Sequence, residues 1–286
     1  MTPMPAHIAF LGTGRLGAGF VEAALGRGDR VTVWNRTPSK AQALATFGAT
    51  VAATPADAVM GAERVHLVLS DDAAVESVIA ECRGALAKDA IIVDHTTTLP
   101  ARTAARADRL NAEGVKYLHC PVFIGPAAAR LARGNILVSG PQVLFDAVKP
   151  ALEKQAARVV YYGERPDLAA VIKLIGNAYL IGTGAVMADF MSIARNAGVS
   201  AEQAMSLFDF FDPANIVQTR GVSMMKGDFT PSFELTMARK DVRLMIEAAG
   251  DRPLAALPSL AARMDALIAA GHGGEDFAVL AIDAVR

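Results

Sequence analysis

From His7 to Gly163, short runs of β-formers take turns with alanine-rich stretches, and few architectures accept such a chain. The runs are "HIAFL" (7–11), "RVTVW" (30–34), "ATVAA" (49–53), "RVHLVL" (64–69), "AIIVD" (90–94), "VKYLHCPV" (115–122), "NILVSG" (135–140) and "ARVVYYG" (157–163). Between them, 14–27, 38–47, 73–87 and 100–113 favour helix. Strands that are apolar throughout, separated by helices, predict a mainly parallel sheet covered on both faces. Near Asp167 the pattern changes. No convincing strand follows, and helices are expected over about 167–197, 200–210, 214–226, 234–250, 256–270 and 275–285. Pro166 and Asp167 suit the start of the first of these. Gly198 suits its stop, and Ser200 the next cap. An α/β domain over 1–164 and an all-α domain over 165–286, joined by one long interdomain helix, are therefore expected.

Composition limits the function classes. A chain of 286 residues with 52% hydrophobic residues and mean hydropathy +0.31 can bury two cores and is not disordered. Its net charge of −1 offers no basic field for nucleic acid or an anionic membrane. Two cysteines, Cys82 and Cys120, fit a reduced cytoplasmic protein, and "MTPMPAHIAFLG" lacks the basic start of a secretory leader. Residues 178–194 are apolar nearly all round, yet Asp189 lies among them. That reads as a helix enclosed by protein, in its own domain or in a homodimer, rather than a membrane span. His7, His66, His95, His119 and His272 show no ligand-spaced pair, so no metal is expected.

"IAFLGTGRLGAGF" sets Gly12, Gly14 and Gly17 in G-x-G-x-x-G spacing, after the first strand and at the opening of the first helix. Gly12 permits the tight turn, and Gly14 the approach of a pyrophosphate to the helix N-terminus. Gly17 lets helix and strand pack closely. With Thr13, Arg15 and Leu16, these residues form the candidate loop of a Rossmann-type domain. The alternative is a glycine-rich turn with no ligand. The second strand ends in Asn35, Arg36 and Thr37, with Lys40 close behind, where an NAD site would place a carboxylate for the ribose diol. A guanidinium in that place suits a 2′-phosphate, so NADP(H) is expected over NAD(H).

In "AAVIKLIGNAYLIGTGAVMADF" (169–190) a single lysine, Lys173, stands among apolar residues, with Asn177 one turn later on the same face. If that face looks into a ligand cleft, desolvation lowers the lysine's pKa and makes it an acid–base group for a carbonyl oxygen. A lysine with its head in solvent is the other reading of this helix.

Taken together the motifs resemble the β-hydroxyacid dehydrogenase family, which includes 3-hydroxyisobutyrate dehydrogenases and glyoxylate/succinic semialdehyde reductases. "GTGRLG", "DHTTTLP" (94–100), "KLIGN" (173–177), "FELTMARKD" (233–241) and "GHGGEDFAVL" (271–280) occur in the family's order over almost the full length. The resemblance implies that Lys173 is the acid–base residue and Asn177 its substrate-orienting companion. It implies that Thr97 meets the nicotinamide end of the cofactor and that Leu69 and Ser70 line it. Lys240 would reach cofactor or substrate, beside Asp241. Thr96 stands in place of the family's substrate-side serine.

The chain also departs from the family. Where D-A-P-V-S-G-G would grip a substrate carboxylate, it has "HCPVFIG" (119–125), with Phe123 for the serine and Ile124 for the next glycine, leaving Gly125. Asp167 and Ala169 replace a G-x-G ahead of the lysine, and Gly176 stands where an asparagine often precedes Asn177. The expected activity is hydride transfer between NADPH and a small aldehyde or keto substrate. An imine reductase shares the fold and the "VWNRTPSK" type of loop, but Lys173 argues against it. A non-catalytic nucleotide-binding protein would be expected to lack Lys173 or Lys240.

Overall fold

The computed structural model describes residues 6–285, which divide into two compact units between Asn177 and Ala178. The first unit opens with β1 (His7–Leu11), α1 (Arg15–Gly26), β2 (Arg30–Trp34), α2 (Pro38–Gln42), β3 (Thr50–Val51), α3 (Pro55–Val59), β4 (Arg64–Leu67) and α4 (Asp72–Cys82). It continues through β5 (Ile91–Asp94), α5 (Pro100–Ala112), β6 (Lys116–His119), β7 (Val122–Phe123), α6 (Pro126–Arg130), β8 (Asn135–Val138), α7 (Gln142–Leu152) and β9 (Arg158–Tyr161). The helix α8 (Leu168–Asn196) begins in this unit and ends in the next.

Strands β3-β2-β1-β4-β5-β6 form one sheet in that order, and every pairing is parallel. Alternation along each strand feeds two cores. Ile8, Phe10, Val31, Val33 and Val93 pack on one face with α1 and α7. Ala9, Leu11, Val65, Leu67 and Ile92 pack on the other with α3, α4 and α5. The order reverses between β1 and β4, which is where open α/β sheets bind ligands at the carboxyl ends of their strands.

The run at 115–122, expected as one strand, is two. Pro121 follows β6 and has no N–H for a continuing ladder. β7 pairs instead with β8, antiparallel, and β9 completes this second, three-stranded sheet alongside β8, in parallel. The split places Phe123 in the second sheet, opposite Asn135. Helix α7, with Leu144, Phe145, Val148 and Leu152 buried, is a further addition to the sequence reading.

Fully buried histidines lie beneath the main sheet's carboxyl edge. His95 Nδ1 lies 2.7 Å from the Cys120 carbonyl, His66 Nδ1 lies 2.9 Å from His95 Nε2, and the His66 ring stacks on Phe10. A carbonyl only accepts, so His95 carries its proton on Nδ1, and its Nε2 accepts a hydrogen bond from His66 Nδ1–H. Burial keeps both rings neutral, with His95 pushed down to about 4.

In the second unit, Gly198 (φ 71°) ends α8, and Ser200 and Gln203 form a reciprocal capping box for α9 (Ala201–Met205). There follow α10 (Pro213–Lys226), α11 (Leu235–Ala249), α12 (Leu257–Leu267) and α13 (Ile282–Val285), packed on Leu235, Val242, Met264, Leu267 and Val279. Asp189 is 2% exposed, and its carboxylate accepts the amides of Ala255, Ala256 and Leu257 at the start of α12. Asp276 accepts the amides of Ser232, Phe233 and Ala278 and pairs with Arg220. These bonds hold its carboxyl well below the usual carboxylate range despite burial. Although α8 is long and apolar enough to cross a membrane by length and composition, Lys173 and Asp189 within it are both bound to groups of the folded chain.

Candidate active site

The three glycines of the first loop do different work. Gly12 has φ 101°, and a Cβ there would lie 2.3 Å from the Val68 carbonyl oxygen. A Cβ on Gly17 would lie 2.1 Å from the Gly12 carbonyl oxygen. Gly14 has nothing within 4 Å, so its missing side chain leaves open space over the N-terminus of α1. No acidic side chain stands in that helix's first turn, and its amides are free to meet an anion.

Around this loop lies a groove of about 500 Å³ lined by Gly12, Gly14, Arg15, Leu16, Gly17, Asn35, Arg36, Thr37, Lys40, Leu69 and Ser70. All of these were expected from sequence. Thr13 is buried, and its amide donates to Asn35 Oδ1 at 2.9 Å, while Asn35 Nδ2 donates to the Thr37 carbonyl at 3.0 Å. Asn35 thus ties the end of β2 to the glycine loop, with two cations, Arg36 and Lys40, on the same wall. Ala74, Ser77, Val78 and Glu81 of α4, together with Trp34 and Val68, complete the lining. Sequence reading missed these, although 74, 77, 78 and 81 mark one helical face. A dinucleotide fits this set: closed glycines at the turn, an open one over the helix end, and no carboxylate at the ribose position.

The loops after β4 and β5 hang from one buried guanidinium. Arg106 is 1% exposed and donates to Asp72 through Nη2 and to Glu76 through Nε, each at 2.7 Å. Its Nη1 lies 3.4 Å from the Tyr117 hydroxyl, which donates to Asp94 Oδ2 at 2.8 Å. Asp94 Oδ1 accepts the Thr96 amide, Thr96 Oγ1 accepts the Leu69 amide, and Asp72 Oδ2 accepts the Leu99 amide. Thr96 is itself buried, so the structure places it as a brace beneath Leu69, whereas Thr97 is exposed. Thr98 bonds to Thr103 and His119 rather than capping α5.

Lys173 and Asn177 lie on α8 within the first unit. Ser139, at the end of β8, anchors the start of that helix by donating to the Pro166 carbonyl and accepting the Ala169 amide. Lys173 is 8% exposed, and its Nζ donates to Asn177 Oδ1 at 2.9 Å. Burial lowers its pKa from that of a free lysine. The ammonium also sits 4.0 Å from the centroid of the Phe123 ring. Of the other expected substrate residues, Ile124 packs partly into the core, and Gly125 precedes α6 with nothing within 4 Å of its absent Cβ. Lys240 belongs to the second unit, exposed on α11, with Nζ 2.8 Å from Asp241.

Comparison with known proteins agrees with this geometry. Residues 7–163 match the model of the NAD-binding domain of 6-phosphogluconate dehydrogenase, and residues 168–282 match that of the NAD-binding region of NADP-dependent 3-hydroxyisobutyrate dehydrogenase. The chain is 30% identical to glyoxylate/succinic semialdehyde reductase 1 of Arabidopsis thaliana, over 98% of each chain. Among solved structures, an imine reductase from Pseudomonas sp. superposes with TM-score 0.87 at 21% identity, covering 99% of this chain and all of that one. A reductive aminase from Aspergillus terreus, in complex with NADPH and ethyl levulinate, superposes with TM-score 0.83 at 25% identity over 99% of this chain and 100% of its own.

Proposed function

The chain belongs to the β-hydroxyacid dehydrogenase family of NAD(P)-binding oxidoreductases, and from that premise we propose that it is an NADPH-dependent reductase of aldehyde or keto groups with Lys173 as proton donor. The observation that carries this reading is an almost buried ammonium held by Asn177 in the same unit as the dinucleotide groove. Gly12, Gly14 and Gly17 with the start of α1 would hold the pyrophosphate, and Leu69, Ser70 and Thr97 the nicotinamide side. When bound, the nicotinamide supplies the hydride. Lys173 Nζ gives a proton to the carbonyl oxygen as the carbon is reduced, and takes it back in the reverse direction. Asn177 accepts one ammonium N–H through Oδ1, and its Nδ2 hydrogens remain to hold the substrate oxygen. Reduction of C=N is a second reading, supported by the reductive aminase's likeness over the whole chain. NADPH consumption against aldehydes, ketones and cyclic imines tests both. Protein that binds NADPH but reduces no carbonyl would reject the first.

NADPH over NADH is supported by Arg36 and Lys40 on the groove wall, with an amide at Asn35. Arg36→Ala is expected to lower the NADPH/NADH ratio of kcat/KM by about 10- to 100-fold, the worth of one or two charge-assisted hydrogen bonds. An unchanged ratio would take the 2′-phosphate away from Arg36.

A homodimer is the fitting state for α8. Ile175, Tyr179, Leu180, Ile181 and Val186 are each more than half exposed on this one helix, which calls for a second copy of the chain as cover. Light scattering should give twice the chain mass, and Ile181→Glu the single mass. A wild-type monomer at micromolar concentration would overturn the dimer. Cys82 and Cys120 are buried free thiols, Cys82 pushed up by burial to about 11, which suits a reducing cytoplasm.

A further inference from the structure

Glycine inside a helix is costly unless something needs its missing side chain. Helix α8 carries three such glycines. Gly182 and Gly184 have no atom within 4 Å of a built Cβ. Gly176 differs: its Cβ would lie 2.3 Å from Phe123 Cζ, 2.9 Å from Cε1 and 3.2 Å from Cε2. The tip of the ring therefore occupies the place of the side chain at 176. The face of the same ring holds the Lys173 ammonium at 4.0 Å, one turn before Asn177.

We propose that Phe123 and Gly176 form a matched pair that sets the substrate class at Lys173: a neutral aldehyde or ketone with no carboxylate beside the reacting carbonyl. This rests on the reductase reading and narrows it. A carboxylate bound there needs donors of its own, besides the ammonium that serves the carbonyl oxygen. The ring offers none, and its face is the negative part of its quadrupole, which attracts an ammonium and repels a carboxylate. Stripping a carboxylate of water against such a surface has no return. Glycine at 176 adds no donor and exists to admit the ring. Phe123 is thus a specificity residue through its surface and a positioning residue through the ammonium it steadies.

Two measurements test the pair. The first compares kcat/KM within size-matched pairs, glyoxylate against methylglyoxal and pyruvate against butanedione. Wild type should favour the neutral member by about 100-fold, and Phe123→Ser should shrink that preference by about 10-fold or more. Should the serine variant not fold, Phe123→Leu keeps the apolar volume without the π face. It should hold the preference for neutral substrates while moving the alkaline fall of reduction to lower pH, because the ammonium loses its ring. Wild type favouring the acids, or Phe123→Ser leaving the ratio unchanged in folded protein, would overturn the proposal.

The second measurement is thermal and needs no substrate. Gly176→Ala should lower Tm by several degrees, against the ordinary sign for glycine to alanine in a helix, since about 1 kcal/mol corresponds to ~2–4 °C. In the Phe123→Ser background the same change should leave Tm level or raise it. A rise in both backgrounds would show that ring and glycine are not matched. Protein that binds NADPH and passes the thermal test but reduces no carbonyl would reject the reductase reading and with it the substrate class, leaving only the packing.

Discussion

Lys173→Met should cut kcat for carbonyl reduction by about 10²- to 10⁴-fold while NADPH binding, followed by its fluorescence, stays within a few-fold of wild type. Methionine keeps the length and apolar body of the side chain and removes the ammonium, with its transferable proton and its bond to Asn177. The pH dependence carries the sign of the mechanism. Reduction uses the ammonium, so kcat for reduction falls as pH rises through the lysine's pKa. Burial lowers that pKa, so the fall comes at lower pH than a free lysine would give. Alcohol oxidation needs the neutral amine and rises over the same range. A Lys173→Met enzyme with wild-type kcat, or a reduction rate that rises with pH across this range, would remove Lys173 from the chemistry.

The largest expected loss of stability is at Arg106. Its guanidinium has a fully buried side chain, and it spans Asp72, Glu76 and Tyr117 with Asp94 just beyond. Arg106→Leu would leave the buried Asp94 and the nearly buried Asp72 without their cation, and breaking a buried pair from one side costs about 3–5 kcal/mol. Calorimetry should show the first unit's transition lowered by roughly 10 °C. Lysine should not rescue it, because a point charge cannot reach three acceptors in a plane. The loss should extend to the site, since Asp94 and Asp72 hold the Thr96 and Leu99 amides and Thr96 holds Leu69 on the groove wall. A variant with wild-type Tm would show that the acidic groups find other partners.

Sequence alone was a good guide to the groove because its demands are local. Gly12, Gly14 and Gly17 answer to a turn and a helix start a few residues away. Asn35 and Arg36 follow directly on a strand whose period is plain. The lysine on α8 could be read for the same reason, as an ammonium in an apolar run. What escaped was set by partners distant in the chain. Arg106 sits in an alanine- and arginine-rich helix where a charge usually faces water, and only the tertiary fold brings Asp72 and Asp94 to it. Asp189 looked like a polar interruption, yet it accepts amides from residues 255–257. The strand at 115–122 was misread because period and propensity continue across Pro121 while the ladder does not. Phe123 and Gly176 could each be noticed as departures, but not as one departure.

The ring and the glycine also have an order in time. Phenylalanine at 123, with its ring where it meets Lys173, lies 2.3 Å from a Cβ at 176, so a side chain there must turn the ring off the ammonium. Glycine at 176 beside a small residue at 123 leaves a gap, at the modest cost of a glycine in a helix. A lineage moving one substitution at a time towards this chain gains the ring's place on the ammonium only with the glycine already there, and one leaving it keeps that place only until the glycine goes. Descendants that keep Phe123 against the Lys173 ammonium are bound to keep Gly176 as well.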